Sequence, residues 1–247
     1  MVEKTKALEA YQEAGEDPKA LECIPMLKRS DIKREAAKII NEELTVDDSL
    51  FLYHDVCTNG IGYVDLMFKT DSIAPEQIPY LGLLKSVLGY VDTENYTYGE
   101  LFNEINANTG GINCGVEVFD RADSTEEFQA MFSVRGKALY TKMDFLFKMI
   151  GEILNSSKLE DTKRLYEIVA SVKSRAQVNL TGAGHSTAVL RATAYSSPMA
   201  AFQDEMAGIG YYQFIEKLEK DFEQRKEETV EELCKLMKKI LRPENFM

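Results

Sequence analysis

Apolar positions change period twice along the chain, and each change predicts a different kind of structure. Leu8 and Tyr11 stand three apart within residues 2–14, which predicts a helix that GEDP at 15–18 breaks. KALECIPML (19–27) predicts a short helical piece, and Ser30 is placed to cap a helix over DIKREAAKII, residues 31–40. From Leu50 the residues become β-formers. FLYHDVC (51–57) and IGYVDLMFK (61–69) flank TNG, whose Asn-Gly pair favours the positive φ angles of a tight hairpin turn. The expected element is therefore a hairpin of these two strands.

Helical periodicity returns after Pro75, where Ile78, Leu81, Leu84 and Leu88 mark one apolar face. TYGE (97–100) has the form of a capping box opening a helix to about Asn108, which Gly110-Gly111 end. INCGVEVF (112–119) and EFQAMFSVRGKAL (127–139) predict two more strands joined by a polar turn. The rest predicts helices. KMDFLFKMIGEIL (142–154) is apolar nearly all round and expected to be buried, and residues 161–180 are amphipathic. A glycine-rich break precedes a further helical stretch, and residues 214–241 predict one long, charged, exposed helix. The fold class expected is α+β, a mostly antiparallel sheet with helices on one face in the order β-β-α-α-β-β-α-α.

Composition narrows the function classes. The 247 residues can bury a sizeable core, and the 45% apolar and 28% charged content is that of a globular chain. A net charge of −12 repels phosphate backbones, so no nucleic-acid partner is expected. No apolar run approaches the ~18 residues of a membrane span, and MVEKTKALEA lacks the form of a signal peptide. Cys23, Cys57, Cys114 and Cys234 are scattered, as in a protein of the cytoplasm or another reducing compartment.

The two histidines make poor chemistry. On the expected strand, His54 shares a face with Leu52 and Val56, while Cys57 points to the other side, so the pair cannot readily chelate one ion. Asp55 beside them adds little to a site whose geometry is already poor. His185 lies in GAGHST at a loop-to-helix boundary, where Ser186 and Thr187 serve as helix-start residues. TGAG (181–184) lacks the Lys-Ser/Thr ending of a phosphate loop. Lys137, Lys142, Lys148, Lys158, Lys163 and Arg164 alternate with acids and form no basic stripe. Residue types alone thus identify no catalytic set, and a small-molecule enzyme built on His185 would need an acid and a nucleophile beside it.

A longer pattern does carry information. The run from TNGI through IPYLGLL, TENYTYGEL and TGGI (58–119) resembles the pitrilysin/insulinase family of zinc metallopeptidases. Together with IPMLKRSDI (24–32) and GHSTAVLRATAYSSPMAAFQDEMAGIGYYQFI (184–215), it is similar to the third domain of the presequence-protease branch. The resemblance covers nearly the whole chain and rests on the order and spacing of these pieces. It implies a single long polypeptide of four related domains, closing as two halves around a peptide. The first domain of such proteins carries HxxEH, in which two histidines bind zinc and the glutamate acts as general base.

DTENY (92–96) resembles the segment that follows that motif, and counting back places Leu83, Ser86 and Val87 where His, Glu and His would stand. No histidine occurs between His54 and His185. The resemblance therefore implies no catalytic, cofactor or metal residue in this chain, with zinc in the parent protein. It implies as partners the other domains of the same polypeptide and peptide substrates. The domain plan expected is a helical lead-in (1–45), one α+β repeat (46–241) and the start of a following domain (242–247). The alternative is a free-standing inactive subunit of the same fold with a structural or partner-binding role.

Overall fold

The computed structural model describes residues 2–15, 17–35, 38, 40–47, 49–124 and 126–247. It divides into two compact units, Met1–Ile40 and Asn41–Met247.

In the first unit, α1 (Val2–Glu13) is the helix that the Leu8/Tyr11 spacing predicts. Pro18 opens the short α2 (Pro18–Leu21), and the Asp17 carboxylate accepts the Lys19 N–H at 3.0 Å. The helix expected over 31–40 is not found where the chain is described. Asp31 instead ends a 3₁₀ turn, Arg29–Asp31, and its carboxylate accepts the Lys28 N–H at 2.8 Å. Residues 32–35 are irregular, and Ala36, Ala37 and Ile39 lie outside the described residues.

The second unit begins with a two-stranded ribbon, β1 (Glu42–Val46) against β2 (Ser49–Tyr53). A three-stranded antiparallel sheet follows, made of β3 (Ile61–Lys69), β4 (Ile112–Asp120) and β5 (Phe128–Leu139) in the order β3-β5-β4. This corrects the expected hairpin of 51–57 with 61–69. Asn59 and Gly60 do take positive φ angles of 53° and 83°, and the Ile61 N–H donates to the Thr58 carbonyl at 3.2 Å. The turn forms, but residues 54–58 are not strand, and β2 pairs with its sequence neighbour β1. β3 instead pairs with β5, from Ile61↔Leu139 to Lys69↔Met131.

The reason lies in the faces. Phe68 on β3, Phe132, Val134 and Ala138 on β5, and Ile112, Cys114 and Val116 on β4 all point to the same side and join the hydrophobic core. β2, by contrast, is exposed along Leu50–Tyr53 and has no apolar face to offer this layer.

Helices cover that face. α3 (Ile78–Val87) follows a 3₁₀ turn at Pro75–Gln77, and α4 (Tyr98–Asn108) opens on the expected capping box. There Thr97 Oγ1 accepts the Glu100 N–H at 3.3 Å while Glu100 accepts the Thr97 N–H at 2.9 Å. α5 (Met143–Ser156) packs on the sheet where Gly136 leaves room, since a β-carbon there would lie 2.7 Å from Leu146 Cδ1. α6 (Thr162–Gly182), α7 (Gly184–Thr193) and α8 (Pro198–Ala207) follow. The long helix expected over 214–241 is two helices, α9 (Ile209–Lys220) and α10 (Phe222–Ile240), divided at Asp221. The division lets Leu218 and Phe222 both enter the core, where an unbroken exposed helix would not.

The chain's final residues extend the sheet. Met67 and Met247 exchange backbone hydrogen bonds of 2.9 and 2.8 Å along the outer edge of β3. The order of elements after the lead-in is thus three strands, two helices, two strands and a helical remainder.

Candidate functional site

The C-terminal half of α3 faces β4 across a cleft of about 470 Å³. One wall is the strand from Gly111 to Glu117, and the other carries Lys85, Ser86 and Tyr90, with Phe102, Asn106 and Arg175 around them. A second hollow of about 210 Å³ shares Ser86, Tyr90 and Arg175 with it.

Leu83 and Val87 are fully buried on α3, so both serve the core. Ser86, half-buried, lines the cleft, and its hydroxyl donates to the Gly82 carbonyl at 3.3 Å. The helix sits close against its neighbours because residue 82 is glycine. A β-carbon there would lie 2.7 Å from the Met206 carbonyl oxygen and 2.8 Å from the Tyr211 ring.

The DTENY segment is held by a buried carboxylate. Glu152 accepts the Asn95 N–H at 3.1 Å and the Asn95 side-chain N–H at 2.9 Å. Hydrogen bonding from Thr93 and then from Asn95 keeps its carboxyl below the ordinary carboxylate range. This arrangement fixes the turn between α3 and α4, and it is structural chemistry.

Charge in the cleft is one-sided. Burial lowers the pKa of Lys85, with Glu117 opposing that shift. Glu117 itself is paired with Arg135 at 3.0 Å, on the far face of the sheet, where Arg135 also meets Asp65 at 2.7 Å. Neither Lys85 nor Arg175 forms an ion pair among the described residues. Cys114 lines the strand wall, but burial pushes its thiol up to about 12, so it is protonated at neutral pH and a weak nucleophile.

The other sequence candidates stand apart from the cleft. His54 and Cys57 are exposed and lie beyond the end of β2, so strand parity does not govern them. His185 and Ser186 are exposed in the first turn of α7, and the Thr187 hydroxyl donates to the Ala183 carbonyl at 3.2 Å. TGAG bridges α6 and α7. Arg164 is spent on structure: it donates to the Tyr90 carbonyl at 2.9 Å and stacks 3.8 Å over the Tyr98 ring. Among the described residues no group of three or more His, Cys, Asp or Glu could hold a metal ion, and no helix is long and apolar enough to cross a membrane.

Sequence reasoning missed Lys85 and Arg175. Lys85 did leave a signal, since it stands four residues after Leu81 and three before Leu88, at intervals otherwise filled by apolar residues. Arg175 left none, because it reaches the cleft only through the packing of α6.

A model of the family described as peptidase-associated, for the C branch of metallopeptidase family sixteen, matches residues 1–218. The chain belongs to this peptidase-associated family. Relatives of the peptidase-associated chain share its sequence along most of its length. Protein HypA of Clostridium perfringens is 34% identical over 98% of this chain, which covers 24% of that protein. Presequence protease 1, chloroplastic/mitochondrial, of Arabidopsis thaliana is 29% identical over 87% of the chain and 20% of its own length. The mitochondrial presequence protease of Yarrowia lipolytica is 29% identical over 85% of the chain and 21% of its own length. The chain therefore spans about a quarter of the length of these relatives, and its role is that of a peptidase-associated segment.

Proposed function

We propose that this chain is a non-catalytic wall of a zinc-dependent endopeptidase chamber that degrades short unfolded peptides such as targeting peptides. The zinc and its HxxEH ligands would belong to an N-terminal half of the same polypeptide, and the remaining domains would be its partners. The observation that carries this reading is the state of α3. At the positions that resemble HxxEH stand two core residues, Leu83 and Val87, and a serine bonded to its own helix. A helix whose ligand positions are committed to packing contributes shape rather than hydrolysis.

The experiment is metal analysis and peptide cleavage by the isolated chain, before and after chelation. The expected result is less than stoichiometric zinc and no cleavage of an unfolded peptide. One tightly held zinc per chain with chelator-sensitive turnover would refute the proposal. Reading the coding frame upstream separates it from the free-standing subunit, because only the longer polypeptide would place HxxEH in frame.

A further inference from the structure

We propose that the outer edge of β4 is a docking site for an extended peptide bearing carboxylate side chains, which adds to the sheet as a fourth strand. The inference rests on the chamber reading only for why such peptides would arrive; the site itself follows from the sheet.

β4 pairs only with β5 among the described residues. Its odd-numbered residues make that ladder, as the bonds from Lys137 N to Gly111 O and from Arg121 N to Glu127 O show at its two ends. In an antiparallel pair the alternate residues direct N–H and C=O the other way, so Ile112, Cys114, Val116 and Val118 present theirs to the outside. No hydrogen bond from another element reaches these groups among the described residues. The sheet's other border is treated differently, because Met247 occupies the outer edge of β3 at Met67.

Natural edges are blunted by lysine, proline or a covering element. The β4 sequence INCGVEVFD contains neither residue. What lies beside it is the 470 Å³ cleft rather than a covering strand. An added strand, with amides bonding along the edge, would send alternate side chains toward α3 and α6, where Lys85 and Arg175 wait without ion-pair partners. In a chain of net charge −12, two unpaired cations beside an open edge select for acid. A polar, charged lining also fits an exchanging peptide better than a permanent covering segment, whose contacts would be more apolar.

The test is fluorescence anisotropy of a labelled nonapeptide alternating threonine and glutamate, end-capped, titrated with the 247-residue chain at low salt. Replacing its glutamates by glutamine should weaken binding about tenfold. N-methylation of one alternate set of peptide amides should abolish binding, and methylation of the other set should leave it intact. Lys85→Glu with Arg175→Glu, shown folded by its melting curve, should reverse the preference toward a threonine–lysine peptide.

No binding by the unaltered chain overturns the proposal, as does binding indifferent to both methylated sets. A dimer whose formation blocks peptide binding would assign the edge to a second copy and overturn it too. These readouts are independent of zinc content and turnover, so failure of the chamber reading and failure of the edge are told apart.

Discussion

Two residues show how this chain commits polar and small side chains to packing. Cys114 faces the core side of β4, and its thiol stays protonated at neutral pH because burial disfavours the thiolate. Cys23 and Cys57 are exposed. Alkylation with iodoacetamide at neutral pH followed by peptide mapping should therefore label Cys23 and Cys57 first and Cys114 last. At Gly82 the constraint is steric, since the nearest obstacle is the fixed Met206 carbonyl rather than a mobile side-chain tip. Gly82→Ala should destabilise the fold by about 1–3 kcal/mol in a denaturant melt, despite alanine's better helix propensity. A melt unchanged from the parent would show that α3 and α8 can separate freely.

Elements are joined here by a few buried polar groups. Glu152 on α5 ties down the turn that carries Thr93 and Asn95, and Asp204 on α8 does the same for the start of α9. Asp204 accepts the Ile209 and Gly210 N–H groups at 3.0 and 3.2 Å and pairs with Arg191 of α7. Asp204→Ala should cost about 3–5 kcal/mol, because two N–H groups and a guanidinium lose their acceptor. For Glu152 the prediction is a dependence on pH. Its folded pKa lies below the ordinary 4.5, so its contribution is complete above that value and is lost as pH falls through the depressed one. Glu152→Gln should remove that part of the acid-side slope of stability, measured as the denaturation midpoint against pH.

Across the whole molecule, burial is uneven between the two units. None of the helical elements in Met1–Ile40 contains a buried residue, whereas the hydrophobic core runs from Phe68 to Ile240. A chain lacking residues 1–40 should keep its cooperative melt, with a midpoint within a few degrees, as about 1 kcal/mol or less would produce at this size. Loss of cooperative folding would show that the first unit completes the core. The ribbon of β1 and β2 exposes Leu44, Val46, Phe51 and Tyr53, as a two-stranded hairpin without a covering layer must.

The sequence by itself determined the α+β class, the capping box at Thr97, the positions of β3, β4 and β5, and the resemblance that the family match bears out. These are legible because capping and alternation are set within a few residues. Only the tertiary structure decided that β3 pairs with β5 rather than with the strand before Asn59-Gly60. A turn dipeptide fixes a local reversal, but strand partners follow from which faces can share a core, and Phe68 meets that core only beside Phe132. The division at Asp221 and the cleft between Lys85, Arg175 and β4 were hidden for the same reason. Each joins residues from distant elements, and no short-range pattern records which distant surfaces will meet.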